Sequence, residues 1–342
     1  MHSTPGLFDL HFRFQDISLK GDPLENLARL VDFESFRPAL ESALNYRSGP
    51  RGGRPPYDVV LMFKILIVQQ FYGIADDAME FQCRDRLSFM RFFGLGLHKR
   101  VPDAKTIWLF RENLKDSNAL DPLKEIFDGH LEAAGLVAKR GQMVDASFVP
   151  APRRRVTREE NEEIKAGKVP ERLQKNEAAL RQTDRDAQWA KKNDKAYFGY
   201  KLHINADAKH KIIRAYAVTD AAVHDSQCFQ NLIDKTATSP YVYADSAYSS
   251  VDARSTLKEQ GLSAQICHKG QKNAPLKGWQ KRVNKRVSHV RCRVEHIFGN
   301  IAQFSGKFVR CIGMARARFS IGLQVLTYNI RRYVFLMEKA AI

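Results

Sequence analysis

The pattern of the sequence changes near Gly141, and this change divides the chain into two parts of different fold class. Residues 1–140 contain apolar stretches of helical length, separated by short segments rich in Gly or Pro. The clearest stretch, residues 57–72, has no Gly or Pro and is typical of a buried helix. We therefore predict an all-α N-terminal domain over residues 1–140, a pattern that fits a helix-turn-helix arrangement and equally any other small helical bundle.

After Gly141 the chain alternates between strand and helix signals. Residues 143–149 favour a strand, which Pro150 would terminate. Residues 153–195 form a charged insert with 13 Lys/Arg and 9 Asp/Glu, expected to be helical in part and mobile in part. Further strands are predicted at residues 197–205, 211–218, 241–244 and 263–267, with helices between and after them, including a long one at 283–303. Residues 141–342 are therefore predicted to be an α/β domain, a mixed sheet flanked by helices.

The charge of the chain indicates a polyanionic partner. Its 55 Lys+Arg against 38 Asp+Glu give a formal net charge of +17, which favours nucleic acid or an anionic membrane surface. Hydrophobic residues make up 44% of the chain, too many for a disordered basic tail.

The sequence gives no sign of a membrane span, an export signal or a disulfide framework. The longest apolar stretch, residues 59–74, is interrupted by Lys64, Gln69 and Gln70 and is shorter than the roughly 20 apolar residues that a spanning helix needs. The first residues lack the apolar core of a signal peptide. Five cysteines without a CxxC pair argue against disulfides and a zinc knuckle. We expect a cytoplasmic protein associated with the nucleoid.

Three acidic residues occupy positions that suggest chemistry. Asp145 lies between apolar neighbours within the first predicted strand, where burying a carboxylate is costly. Asp245 directly follows a strand, at the end where sites of α/β sheets gather. Glu295 lies on the long helix, beside its apolar stripe, so we expect packing to hold it at the edge of the core and out of bulk solvent. Each has a structural alternative: a buried Asp with local partners, a turn or helix cap, and an ion pair with Arg291, respectively.

If these three carboxylates converge, they repel one another unless a cation is present. Hard oxygen ligands select Mg²⁺ or Mn²⁺. The sequence around Glu295 is otherwise basic: residues 281–333 contain twelve Lys/Arg and no other acid. Phosphate contact is the favoured interpretation of this density, over a merely solvated face. The candidate DNA contacts are Lys201, Lys281, Arg282, Lys285, Arg286, Arg291 and Arg293. His203, on the same side of its strand as Lys201, is at least as easily explained as a structural residue, and Asp225 as a helix N-cap.

Several ordered segments resemble the DDE transposases of bacterial insertion sequences, and insertion sequence 5 is the closest type. They are Val144-Asp145-Ala146-Ser147, Tyr197-Phe198-Gly199-Tyr200-Lys201, Val218-Thr219-Asp220, His224-Asp225-Ser226, Tyr243-Ala244-Asp245-Ser246-Ala247-Tyr248 and Arg291-Cys292-Arg293-Val294-Glu295-His296-Ile297-Phe298-Gly299. The resemblance extends to the N-terminal part through Gly53-Arg54-Pro55-Pro56-Tyr57, so it covers essentially the whole chain. Several motifs in order are far more specific than one short pattern.

The resemblance implies that Asp145, Asp245 and Glu295 are the catalytic, metal-binding carboxylates of a ribonuclease H-like core. Around the Glu, the family also carries Tyr, Arg and Lys at Y-x2-R-x3-E-x6-K spacing. Arg291 matches the Arg, but Ser288 and Ala302 stand where Tyr and Lys are expected, and Lys307 lies beyond the predicted helix. The roles of that Tyr and Lys are therefore not carried over to this chain.

The same resemblance implies a function: binding of terminal inverted repeats, followed by Mg²⁺-dependent strand cleavage and strand transfer with two ions per site. Its partners would be double-stranded DNA at the element ends and at the target, and further copies of the chain in a homodimer or higher oligomer. Two alternatives remain: a domesticated, repressor-like DNA-binding protein without catalysis, and a ribonuclease H-like hydrolase of RNA–DNA hybrids.

Overall fold

The computed structural model describes residues 6, 8–44, 55–136, 140–192, 194–235, 237–270 and 274–340. The chain divides into two compact units, one formed by Met1–Gly129 with Ile330–Ile342 and the other by His130–Asn329. The division thus falls before the expected boundary at residue 140, and the last residues group with the N-terminal unit. Gly53 and Arg54, which contribute to the family resemblance, lie outside the described residues.

The first unit is helical throughout its described residues, as predicted. Its helices are α1 (Asp9–Leu19), α2 (Pro23–Leu30), α3 (Arg37–Leu44), α4 (Val59–Tyr72), α5 (Asp76–Asp85), α6 (Leu87–Phe93) and α7 (Ala104–Asp116), followed by α8 (Leu120–Ala133), which continues past Gly129. The short connections carry ordinary caps: Asp103 accepts a hydrogen bond from the Thr106 amide at the start of α7.

Helix α4 forms the centre of this unit. Asp58 caps it by accepting hydrogen bonds from the Val60 and Leu61 amides, and Gly73 ends it in the left-handed region at φ +63°. Phe63 is completely buried and packs against Phe36. No single described helix is long and apolar enough to cross a membrane; the bent pair α4 and α5, at 106°, meets that test only by length and composition.

The second unit contains a six-stranded mixed sheet. Its strands are β1 (Gln142–Pro150), β2 (Gln188–Lys192), β3 (Lys195–Asp207), β4 (Ile213–Asp220), β5 (Tyr241–Ala244) and β6 (Ser263–Ile266). The strand order is β2-β3-β1-β5-β6, with β4 also paired to β3. Pairs that include β3 are antiparallel, whereas β1, β5 and β6 run parallel. The predicted α/β class is confirmed, and the mixed sheet with its helices is consistent with a ribonuclease H-like core.

Besides the sheet, the second unit contains the helices that follow. They are α9 (Arg158–Lys165), α10 (Glu171–Gln174), α11 (Glu177–Arg181), α12 (Phe229–Leu232), α13 (Val251–Glu259), α14 (Gly278–Phe304) and the first part of α15 (Met314–Ala340). Met143 packs in one core with Val294 of α14, whereas the next residue, Val144, packs in a second core with Leu257 of α13. We call these sides the α14 face and the α13 face.

The structure adds two elements that the sequence did not predict, β2 and α15. Strand β2 lies within the insert at 153–195, and Trp189 pairs there with Phe198 of β3. The predicted helical part of the insert is confirmed, because α9 to α11 lie within it and share a small core of Ile164, Leu173 and Ala179. Strand β2 could not be recognised in the charged sequence of this segment, because it is stabilised by pairing with β3.

Candidate active site on the α14 face

Asp145 lies on β1, and its side chain points to the α14 face. It is 15% exposed, and Arg291 of α14 donates a hydrogen bond to its Oδ2 at 2.7 Å. The Ala146 amide donates to Oδ1 at 2.9 Å. Burial, with a smaller contribution from the charge of Asp245, raises the pKa of Asp145 to about 6, although Arg291 and the Ala146 amide act in the other direction. Its ionised form is therefore stabilised only in part by the protein, and additional positive charge would be favoured here.

Asp245 follows β5 directly. Strands β1 and β5 are parallel with Met143 opposite Tyr243, so the two aspartates, each two residues further on, lie at the same level of neighbouring strands. The Ala247 amide donates to Asp245 Oδ1 at 2.7 Å, which caps a 3₁₀ turn at Ser246–Tyr248. Asp245 therefore acts as a cap, which is the structural alternative that the sequence offered. The hydrogen bond uses Oδ1, so Oδ2 is still available to bind a cation.

Glu295 is more exposed than the sequence predicted. Its stripe neighbours Val294 and Ile297 are completely buried, but the Glu295 side chain is 67% exposed. The expectation that packing would keep it out of bulk solvent was wrong, because one residue corresponds to about 100° of rotation and takes the side chain past the edge of the contact. The alternative ion pair is present: Arg291 Nη2 lies 3.9 Å from Glu295 Oε1.

The guanidinium of Arg291 thus contacts Asp145 and lies near Glu295, while Asp245 acts on Asp145 through its charge. Within the described residues, no group of three or more His, Cys, Asp and Glu side chains is close enough to hold a metal ion. The donors nevertheless fit a hard divalent cation in chemistry and charge, because Asp145 is a buried carboxylate beside a second one. Glu295 would have to turn towards the aspartates to complete a three-ligand site.

The predicted DNA contacts on α14 differ in exposure. Lys281, Arg282, Lys285 and Arg286 are exposed, and none forms an ion pair with another described residue. By contrast, the guanidinium of Arg293 donates to the Ala208 carbonyl at 2.9 Å. The four exposed cations are therefore the ones placed to meet an external anion.

Lys201 is placed differently from the prediction. It points to the α13 face, where its Nζ donates to the Val223 carbonyl at 2.6 Å and pairs with Asp225 at 2.8 Å. The residue is buried, which does not favour the predicted phosphate contact. The interpretation of Asp225 as an N-cap was wrong, because the side chain that accepts the Ser226 amide at this turn belongs to His224.

His203 completes this second polar group. It is fully buried, its Nε2 lies 3.0 Å from Thr219 Oγ1, and burial lowers its pKa to about 4. The structural interpretation of His203 fits this environment. The sequence held one signal for the group: Lys201, His203 and Asn205 repeat at a spacing of two along a strand, which places polar side chains on one side.

Two protein-family models match the chain. A model described as "Transposase DDE domain" matches residues 138–330, more than half of the chain and a range that includes Asp145, Asp245 and Glu295. A model described as "Transposase domain (DUF772)" matches residues 12–113, within the helical unit. No solved structure shows significant similarity to the chain.

Proposed function

The chain belongs to the DDE transposases of insertion sequences, and from this premise we propose that it binds the terminal inverted repeats of its element, cleaves DNA there and transfers the ends to target DNA. The insertion sequence 5 type fits the sequence motifs best. The observation that carries the proposal is Asp145, a buried carboxylate with a raised pKa, next to Asp245 and beneath the basic helix α14. Perturbed carboxylates of this kind are typical of catalytic sites.

Asp145, Asp245 and Glu295 would hold two Mg²⁺ ions, or Mn²⁺ in their place. Such ions, when bound, activate the attacking oxygen and neutralise charge at the phosphorus. The protein supplies the positions of the ligands: β1 and β5 fix the two aspartates at one level, and the buried stripe of α14 fixes the backbone of Glu295.

Arg291 is the principal positioning residue of this site. Its bond to Asp145 Oδ2 orients that carboxylate, and its approach to Glu295 keeps an attractive charge between the acids. Ser288 and Ala302 occupy the places of the family's Tyr and Lys, so neither of those side chains is available here. The Ser288 hydroxyl lies 4.0 Å from Cys267 Sγ instead.

DNA would reach the site along the N-terminal half of α14. Lys281 and Lys285, like Arg282 and Arg286, are four residues apart, which places each pair on one stripe of the helix surface. Cations in such rows contact successive phosphates. The N-terminal unit would recognise the element ends, and a homodimer or higher oligomer would hold two ends together.

The test is cleavage of duplex DNA that carries the sequences flanking the gene, with Mg²⁺, by wild type and by Asp145→Asn, Asp245→Asn and Glu295→Gln. We expect each variant to bind this DNA and to lose cleavage, whereas the control Asp252→Asn, at an exposed position on α13, cleaves normally. Cleavage retained in one variant removes that residue from the site. Binding without cleavage by wild type supports the repressor alternative, and a preference for RNA–DNA hybrids supports the hydrolase alternative.

A further inference from the structure

The insert at residues 153–195 contains basic residues in two different situations. In its second part, cations form ion pairs with glutamates: Lys165 with Glu162, Arg172 with Glu160, Lys175 with Glu171 and Arg181 with Glu177. In its first part, four arginines form no ion pair with an acid among the described residues: Arg153, Arg154, Arg155 and Arg158. These four cations are therefore not held in ion pairs, unlike the four cations of the second part.

Three of these arginines line a cavity of about 310 Å³ that is also lined by Trp189 and Phe198. The Arg153 guanidinium lies 4.8 Å from the centre of the Trp189 ring, so stacking holds this cation in place. Arg154 donates to Gln182 at 2.6 Å through one guanidinium nitrogen, which leaves its remaining donors for another ligand. We call this cavity, with Arg153, Arg154, Arg158, Trp189 and Phe198, the arginine pocket.

Among the described residues one acid, Asp184, lines the arginine pocket, and it forms no ion pair with these arginines. Asp184 is buried, and its carboxylate accepts hydrogen bonds from the Tyr200 hydroxyl at 2.7 Å and from the Ala187 amide at 3.1 Å. Arg154 and Arg155 also line an adjoining, wider depression of about 580 Å³. The pocket therefore opens onto an arginine-rich surface that suits an anionic chain longer than a single small ion.

The arginine pocket and Asp145 lie on the same face of the sheet. Asp145 is opposite Ile204 on β3, so both side chains point to one face of the sheet. Side chains alternate along a strand, and Phe198 is six residues before Ile204, so the Phe198 side chain points to the same face. Phe198 also packs on the α14 face, and Trp189 is its cross-strand partner. At about 3.4 Å per residue, the distance along β3 is roughly 20 Å. Along the axis of duplex DNA each strand carries one phosphate about every 3.4 Å, so a duplex lying parallel to β3 passes about six phosphates of one strand over this distance.

We propose that the arginine pocket binds the phosphate backbone of the DNA strand that is cleaved at Asp145, about six phosphates from the scissile bond. This inference rests on the proposed function, since it requires DNA at the candidate active site. Arg153, Arg154 and Arg158 each contact a phosphate oxygen, and Trp189 keeps Arg153 aimed into the pocket. The insert then fixes the direction in which the strand leaves the site.

The first test compares two triple variants that remove the same charge from the insert. One is Arg153→Gln, Arg154→Gln, Arg158→Gln; the control is Lys165→Gln, Lys175→Gln, Arg181→Gln, whose cations are already paired. The affinity for duplex DNA that carries the flanking sequences is measured by fluorescence anisotropy over a range of salt concentrations, without divalent metal. We expect the pocket variant to bind at least about tenfold more weakly, with a salt slope smaller by about 2–3, since each phosphate contact contributes about 0.9.

The control triple variant should change the affinity by less than about threefold, because its cations do not face the pocket. Equal losses in the two triple variants would mean that only net charge matters, and no loss in either would exclude the contact; both outcomes overturn the inference. Since this assay measures binding without cleavage, its result is separate from the outcome of the catalytic test.

A second test does not require removal of the arginines. A photoreactive benzoylphenylalanine replaces Asn161, which lines the pocket, or Glu177, which does not. We expect position 161 to cross-link the cleaved strand about five to seven nucleotides from the scissile phosphate, and position 177 to give no cross-link. Absence of a cross-link at position 161 in a chain that still binds DNA overturns the inference.

Discussion

On the α13 face of the sheet, Lys201 and Asp225 form an almost buried ion pair, whereas on the α14 face Asp145 is buried beside a second carboxylate. The Lys201 amine also donates to a carbonyl, so its charge is matched by acceptors of the protein. Asp145 has Arg291 as its one ion-pair partner among the described residues, and its pKa remains raised. The same strands thus carry one ion pair whose opposite charges are matched within the protein and one carboxylate that remains in need of positive charge.

The difference indicates that the two groups serve different purposes. A satisfied buried pair is costly to break, because removal of one partner leaves an uncompensated charge. A carboxylate in need of positive charge contributes little to stability and is suited to bind a cation. Substitutions on the α13 face should therefore reduce stability, and substitutions on the α14 face should reduce activity.

Asp145→Asn should show the largest effect. We expect DNA cleavage to fall at least about 10³-fold, or about 4 kcal/mol in activation free energy, because a metal ligand is lost. The free energy of unfolding should change by less than about 1 kcal/mol, since the loss of the Arg291 bond is offset by the removal of a charge that burial disfavours. Cleavage rates and urea unfolding in one buffer measure both. A loss of stability above about 2 kcal/mol would contradict the proposed difference between the faces.

Lys201→Met should reduce the free energy of unfolding by about 3 kcal/mol or more, because Asp225 is left without its cation. The double variant Lys201→Met, Asp225→Asn should recover at least half of this loss. Urea unfolding measures both variants. The matched control is Lys175→Met, whose pair with Glu171 is 74% and 79% exposed, and it should stay within about 0.5 kcal/mol of wild type. If both Lys variants behave alike, the Lys201 pair is not a stabilising element.

His203 should make stability depend on pH. Burial lowers its pKa from 6.5 to about 4 in the folded protein, so the unfolded chain binds the proton more tightly. Stability should therefore fall as the pH drops from about 6.5 to about 4, by about 3 kcal/mol for this residue, and should be fully present above pH 6.5. Urea unfolding of wild type and His203→Gln across this range checks the prediction. A constant difference between the two proteins would show that His203 does not titrate in this way.

Glu295→Gln should have the smallest effect on stability. Its side chain is largely exposed and its nearest cation, on Arg291, lies 3.9 Å away, so the free energy of unfolding should change by less than about 0.5 kcal/mol. Cleavage should nevertheless be lost as in Asp145→Asn. Urea unfolding and the cleavage assay measure the two properties. A variant that is destabilised but still cleaves DNA would contradict this prediction.

Much of the fold follows from local sequence. Strand β5 was predicted with its observed bounds, because an apolar run is bracketed by Pro240 and Asp245. Helix α4 was predicted from its long apolar stretch without Gly or Pro. Strand β2 could not be found in this way, since its stability comes from pairing with β3 and its own residues lack alternation.

Candidate site residues could be proposed from the sequence, but their contacts could not. The positions of Asp145 within a strand and of Asp245 directly after one follow from the strand signals and the motifs around them, whereas the pairing of these two strands is seen only in the structure. The bond between Arg291 and Asp145 depends on the rotation of α14 about its axis, which local pattern fixes only approximately. Lys201 and Asp225 lie on different elements, so their ion pair is visible only in the structure. The burial of these two side chains, which indicates a structural role, is likewise visible only there.

The return of the chain to its first unit has a consequence for synthesis. Tyr333 packs edge-on against Phe127 at 5.8 Å, and Arg331 lies 4.2 Å from the centre of the Phe71 ring, so the last helix supplies part of the first unit's packing. All of His130–Asn329 must leave the ribosome before these contacts form. At about 5–20 residues per second this delay is roughly 10–40 seconds. A nascent chain therefore carries an incomplete N-terminal unit until its last residues emerge, and a premature stop near the end would damage the beginning of the protein.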